Sequence, residues 1–180
     1  MQKFRNLIPL SPLAYVIHHF EEHIVFNFRE WRLSYFLDNN SLSTEEVLLR
    51  LLAVLLLMIF LHAIKKDKPS AQIILFFLMT TQIVNAFFHL FFSLYFSDFS
   101  PGAITGTLLY LPINYFIFKA ALREHFIKTK KEIGYLFILG AGTFTLFELI
   151  GPQVMLVALL LSFVYYFMAN KKELFNTKQT

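Results

Sequence analysis

Apolar residues in this chain come in long blocks separated by short polar breaks. The blocks cover residues 7–27, 47–64, 71–97, 103–118, 133–150 and 153–169. Most approach the ~20 residues that an α-helix needs to cross the hydrocarbon of a bilayer, and 71–97 is long enough for a tilted crossing. The breaks carry turn and cap chemistry. Asp38-Asn39-Asn40-Ser41 marks a turn within the polar stretch 28–46. Ser43 or Thr44 is placed to cap the next helix, with Glu45 and Glu46 in its first turn. Lys65-Lys66-Asp67-Lys68-Pro69, Asp98-Phe99-Ser100-Pro101-Gly102, the basic segment 119–132 and Gly151-Pro152 form the remaining breaks. The pattern predicts an all-α, polytopic transmembrane bundle of six spans, as one domain over residues 1–180.

The first block resembles a signal-peptide start, with Lys3 and Arg5 ahead of it. Charged residues interrupt the run, and no small-x-small cleavage site follows it, so it reads as a retained helix. Two carboxylates near a helix centre each cost about 2.5–3.5 kcal/mol on insertion scales. The alternative is therefore five spans plus an interfacial N-terminal helix. Charge distribution favours six. With the N-terminus inside, the inner segments hold Lys3, Arg5, Lys65, Lys66, Lys68, Lys119, Arg123, Lys128, Lys130, Lys131, Lys171, Lys172 and Lys178; the outer segments hold Arg29, Arg32 and Arg50. That positive-inside bias puts both termini in the cytoplasm. It points to the plasma (inner) membrane of a bacterium.

Composition supports the membrane class: 57% of residues are hydrophobic and only 16% charged, against about 25% charged in a typical soluble domain. The net charge of +4 is confined to loops, which argues against nucleic acid as a partner. With no cysteine, thiol and disulfide chemistry are excluded. The partner implied is the lipid bilayer, with a lipid or other small membrane-soluble molecule as substrate; nothing in the sequence identifies a protein partner.

Against this apolar background, His18-His19-Phe20-Glu21-Glu22-His23 is conspicuous. At about 100° per residue, His18 and Glu22 share one face opposite an apolar arc centred on Phe20, with Glu21 beside them. His19 and His23 fall further round, so the overlapping His19-x-x-Glu22-His23 spacing of inverted zincins ranks lower. On the third block Gln82, Asn85, His89 and Ser93 form a matching polar stripe. Intramembrane polar residues usually face the bundle interior. In the six-span arrangement these groups, and Glu148, meet in the outer half of the bilayer. His62 and His125 fall at the inner boundary. Thr107, Tyr110 and Asn114 share an inward face, Gly140-Ala141-Gly142 permits close helix contact, and the Phe87-Phe88 and Phe91-Phe92 pairs read as packing or lipid-facing groups.

His18-x-x-Glu21-Glu22 resembles the signature of the HXXEE family of small integral membrane proteins. That family also has a later histidine, matched by His89, and a Tyr-x-Pro-Gly motif, matched by Phe99-Ser100-Pro101-Gly102 with phenylalanine in place of tyrosine. The resemblance covers the first half of the chain. It implies a membrane location and marks these positions as site residues, and it supplies no activity.

Three functions are consistent with this constellation. In the first, His18, Glu22 and His89 hold a divalent metal (zinc, iron or manganese) that activates water for hydrolysis. Glu21 or Glu148 then serves as general base or fourth ligand, and Gln82, Asn85, Pro101 and Gly102 line the site. In the second, the same groups form the relay of a proton-coupled carrier. In the third, His–Glu hydrogen bonds simply tie helices together. Three carboxylates and two histidines at one depth exceed what adhesion requires, which favours the metal-dependent enzyme. Whether the chain is an enzyme at all is left open at this level. The exposed amides at Pro101-Gly102 offer a place for a carboxylate or oxyanion, although a simple helix start is the plainer reading.

Overall fold

The computed structural model describes residues 2–37 and 42–176, with side chains described as far as residue 171. The expected turn at Asp38-Asn39-Asn40-Ser41 and Lys178 lie outside the described residues. Every regular element among them is helical. After a short helical turn (Phe4–Leu7), α1 (Leu10–Phe20) continues into a wider π-helical turn (Glu21–Val25). α2 (Phe28–Tyr35), α3 (Thr44–Lys65) and α4 (Lys68–Phe96) follow. α5 occupies residues 103–123, α6 is Lys130–Ile150 and α7 is Gln153–Asn176.

Local chemistry accounts for the helix starts. Ser43 caps α3 in a capping box: its hydroxyl accepts from the Glu46 amide at 3.2 Å, and the Glu46 carboxylate accepts from the Ser43 amide at 2.9 Å. Asp67 caps α4 through the Ser70 amide at 2.9 Å, with Pro69 in the first turn. Asn27 caps α2 through the Glu30 amide. That cap turns the front of the stretch expected to be a polar loop into a helix, and Trp31 on its inner face is buried.

Four helices among the described residues are long and apolar enough to cross a membrane: Thr44–Lys65, Lys68–Phe96, Lys130–Ile150 and Gln153–Lys171. α3 has 22 residues, which rise about 33 Å at the helical pitch and match a bilayer core. The six expected spans reduce to these four by length and hydropathy. α1 is cut short by its own polar residues, and α5 ends in a basic last turn. Leu56, Phe60, Ile138, Leu139, Leu161 and Phe167 stand out from α3, α6 and α7 with no protein partner covering them. An apolar girdle of that extent calls for lipid around it.

α4 is the central helix. Ala71, Ile74, Leu75, Leu78, Ala86 and His89 along it are shielded almost completely. Small residues let its neighbours approach. A Cβ on Gly106 of α5 would lie 3.3 Å from Ala86, and one on Gly140 of α6 would lie 3.0 Å from Met79 Cγ. Gly142 faces open space, so Gly140 alone serves the contact expected of that trio.

At one end of the bundle Phe4 is enclosed between His62 and Phe126, with ring centroids 5.3 and 5.1 Å away. His62, expected at the inner boundary, is 2% exposed, because these two rings and Ser70 close over it. Asp67 accepts from the Tyr166 hydroxyl at 3.1 Å beside this cluster. Burial by itself would raise the Asp67 carboxyl; its hydrogen bonds from Ser70 and Tyr166 outweigh that and hold it below the usual range. The Phe4 amide donates to Glu124 at 2.7 Å, which ties the N-terminal turn to the end of α5. The N-terminal turn, the α3–α4 loop and the α5–α6 loop therefore gather at one end. α2 and the 97–102 loop lie toward the other.

Among the described residues, three π-helical turns interrupt the bundle: Glu21–Val25 in α1, Met79–Val84 in α4 and Gly106–Tyr110 in α5. Such turns are rare and concentrate at functional sites. All three adjoin the polar cluster described next.

Candidate metal centre

His18 near the end of α1, Glu22 in its π-turn and His89 on α4 come to one point. Glu22 Oε1 lies 2.9 Å from His89 Nε2 and 3.3 Å from His18 Nε2. His18 is 1% exposed and His89 is fully buried. Both nitrogens lie within ion-pair reach of that one oxygen, and neither has another partner. A buried polar atom without a partner costs about 1–3 kcal/mol, so two of them facing one carboxylate call for a third species.

The far nitrogen of each ring is anchored. His89 Nδ1 is 2.9 Å from Ser100 Oγ, and the Ser100 amide in turn donates to Ser93 Oγ at 2.9 Å. His18 Nδ1 is 2.8 Å from Thr105 Oγ1. The Thr105 hydroxyl donates its single proton to Glu21 Oε2 through a short hydrogen bond. It can therefore only accept from His18, so Nδ1 of His18 carries the hydrogen. In the neutral ring Nε2 is then left as a bare lone pair aimed at the cluster. Metal-ligating histidines are oriented by this kind of partner on the opposite nitrogen.

Glu21 does more than accept from Thr105. It also receives the backbone amides of Gly102, Ile104 and Thr105 at 3.1, 3.2 and 2.7 Å. The amides at the start of α5 thus hold a carboxylate from the chain itself, where its charge is balanced by the helix terminus. Glu21 is a positioning group, with both oxygens occupied. The general-base role expected for it finds no free lone-pair direction toward the cluster.

Gly102 explains why Pro101-Gly102 sits here. It adopts φ +100°, and a Cβ on it would come within 2.9 Å of His18 Cε1, His89 Cε1 and His89 Nε2. Only glycine fits both the backbone conformation and the space against the two rings. Pro101 is buried in the same turn. Phe99 packs at a tilt against Phe26, with ring centroids 5.1 Å apart.

The other expected site residues divide. Asn85 lines the cavity with its Oδ1 unpartnered. Gln82 faces inward but ties helices together: it donates to Ser11 O at 2.9 Å and accepts from Asn114 at 2.8 Å. Glu148 reaches the cavity wall but is bound to Arg32 of α2 at 3.0 Å, and it is not one of the groups gathered at His18. Tyr110 and Asn114 are fully buried, whereas Thr107 is exposed. The wider turn at Gly106–Tyr110 breaks the α-helical phase that placed all three on one face.

Sequence reasoning missed the supporting shell. Thr105 and Ser100 are ordinary hydroxyls without a pattern of their own, and only the fold brings them to the imidazoles. Tyr110 packs at a tilt of 35° against His18, 4.3 Å between centroids, and Phe28 of α2 packs edge-on to His89 at 5.2 Å. The phase of α1 also departed from expectation. His19 and His23, expected to fall further round than the inward face, lie beside and within the π-turn at Glu21–Val25 and reach both the Glu22 carboxylate and the cavity.

Beside the cluster opens a cavity of about 170 Å³. His18, His19, Glu22, His23, Asn85 and Tyr110 form its polar wall. Leu51, Phe144, Phe147, Val154 and Met155 from α3, α6 and α7 form an apolar one.

The donor set fits a divalent ion. His18, Glu22 and His89 each offer one ligand atom, all within 4.8 Å of one another. Metal–donor bonds of about 2.0–2.2 Å place adjacent donors about 2.9–3.5 Å apart in octahedral or tetrahedral geometry, which the measured 2.9 and 3.3 Å match. Two imidazoles and one carboxylate are the protein ligands of several catalytic zinc and non-haem iron sites.

An all-helical chain with buried His/Glu groups drawn from separate helices is the class of protein defined so far. Over residues 10–117 it matches the model of the family described as a protein of unknown function with HXXEE motif. The chain belongs to that HXXEE family. No curated protein and no solved structure matches it.

Proposed function

We propose that this HXXEE protein is a metal-dependent membrane enzyme that hydrolyses a lipid or other small membrane-soluble substrate. His18, Glu22 and His89 hold the ion, and the neighbouring cavity holds the substrate. The observation that carries this reading is the pair of buried Nε2 atoms that converge on a single carboxylate oxygen and have no other partner. A bound divalent ion supplies Lewis acidity and lowers the pKa of water so that it can act as a nucleophile near neutral pH.

The protein's own groups do the rest. Thr105 and Ser100 fix the imidazoles, and Glu21 fixes Thr105. Asn85 Oδ1 and the Tyr110 hydroxyl, both buried and unpartnered, present an acceptor and a donor to the bound molecule. The apolar wall from α3, α6 and α7 receives its hydrocarbon portion, and Phe28 and Tyr110 keep bulk water from the His89 and His18 rings.

We further infer six crossings, with both termini in the cytoplasm and the site toward the opposite leaflet. Support comes from the position of the basic loops, gathered with Phe4 at one end of the bundle, and of the cluster, held by the 97–102 turn at the other.

The reading is tested on protein in lipid nanodiscs. Chelation should abolish turnover of lipid-ester substrates, and zinc, iron(II) or manganese added back should restore it. Turnover that survives both chelation and His18→Ala would refute it.

A further inference from the structure

Glu22 has two oxygens, and the metal site described above uses one. Oε1 faces His18 and His89; Oε2 lies 3.6 Å from His23 Nε2, on the other side of the carboxylate. His19, Glu22 and His23 also bring one ligand atom each within 4.8 Å of the others. His19 is 8% exposed and lies on the wall of the cavity. Its ring is 6.3 Å from that of Tyr15 and 4.4 Å from that of His23. The His19 and His23 rings thus share the cavity wall with the Glu22 carboxylate.

The backbone explains how two histidine sets reach one glutamate. In an ideal α-helix His18 and His23 point about 140° apart. The π-turn Glu21–Val25 adds a residue to the turn, so His18 before it and His23 within it flank Glu22 from both sides.

We propose that Glu22 is a bridging ligand, and that the protein holds a pair of divalent cations: one on His18, Glu22 Oε1 and His89, the second on His19, His23 and Glu22 Oε2. The inference rests on the single-metal reading and extends it. A carboxylate bridging through its two oxygens suits ions about 3.5–4 Å apart, the spacing of two-metal hydrolytic sites. Both positions border the same cavity, where one substrate oxygen can meet both ions.

The test uses the full-length protein in detergent, stripped with chelator and reloaded with Mn²⁺ as the only metal. Wild type should bind two manganese ions per chain and give an exchange-coupled electron paramagnetic resonance spectrum. The His19→Asn/His23→Asn double variant should bind one and give the six-line signal of isolated Mn²⁺. If wild type binds one ion, magnetically isolated and undisturbed by the double variant, the bridge is overturned and the His18–Glu22–His89 site stands. If wild type binds none, both readings fall. The wild-type stoichiometry decides the question even where a variant is lost to misfolding.

Discussion

The two ends of the bundle each bury histidine, and they do so differently. At the basic end His62 is 2% exposed, its Nδ1 lies 2.8 Å from Ser70 Oγ, and Phe4 and Phe126 meet it at steep ring angles. At the other end His18 and His89 are as deeply buried, and each also has a hydroxyl at Nδ1. Burial and the hydroxyl therefore distinguish nothing. The difference lies on the far side of the ring. His18 and His89 share one carboxylate oxygen and have no other partner at Nε2, whereas His62 forms no ion pair among the described residues. His62 is enclosed by aromatic edges, whereas His18 and His89 are each anchored at one nitrogen and turn the other to the shared carboxylate.

Substitutions at the two ends should separate these roles. The largest effect is expected for His18→Ala or His89→Ala, each of which should remove metal binding at the His18–Glu22–His89 site. His62→Ala should leave metal content intact and lower stability by about 1–3 kcal/mol, in the ordinary range for a buried side chain. Metal content and thermal unfolding of the three variants, measured side by side, check this contrast.

Gly102→Ala should come next. The new methyl would lie 2.9 Å from atoms of both imidazoles, on a backbone at φ +100°. We expect affinity for zinc at the site to fall by about 10–100-fold, as for disturbed outer-shell support. Strain of about 1–3 kcal/mol should lower the unfolding midpoint as well. Titration with a competing chelator reads the first effect, and a variant indistinguishable from wild type would show that the turn does not brace the rings.

Thr105→Val sharpens the comparison further. It keeps the shape and removes the hydroxyl between Glu21 and His18, so affinity should fall by about 10-fold or more with the fold intact. Ser70→Ala, the matching change beside His62, should leave metal affinity unchanged and cost about 1 kcal/mol of stability.

The smallest effect belongs to Asp67, outside the spans at the basic end. Its folded carboxyl is held low by Ser70 and Tyr166 against the opposing effect of burial. The stability it contributes is therefore full above the ordinary carboxylate range and is lost as pH falls through the depressed value. Asp67→Ala should cost about 1 kcal/mol at neutral pH, as for loss of a helix cap, and the gap from wild type should close in acid. Unfolding curves at both pH values measure it.

Much of the helical architecture was legible because apolar blocks and cap residues are local signals. Ser43 with Glu46 marks a helix start in the sequence and in the fold alike, and the break expected at 65–69 is where Asp67 caps α4. The number of crossings was less legible. α1 carries its own site residues, so the same side chains that announce the cluster depress the hydropathy of the helix holding it. Helical phase placed His18 and Glu22 on one face, and the structure brings both to His89. It misplaced His19, His23 and Thr107 because each lies beside or within a π-turn, and no residue type signals such a turn. Glu21 was seen as chemically prominent, but its occupation by three backbone amides depends on where the 97–102 turn folds back. Arg32, which takes up Glu148, lies on a helix whose inner face was hidden by a polar surrounding sequence.

The measurement that bears most directly on the central claim is the metal content of the purified, full-length protein, determined by elemental analysis for wild type, His89→Ala and His62→Ala together. Stoichiometric divalent metal in wild type and His62→Ala, with its loss or reduction in His89→Ala, is the expected result. Metal absent from wild type, or retained in full by His89→Ala, would contradict a metal site built on His18, Glu22 and His89.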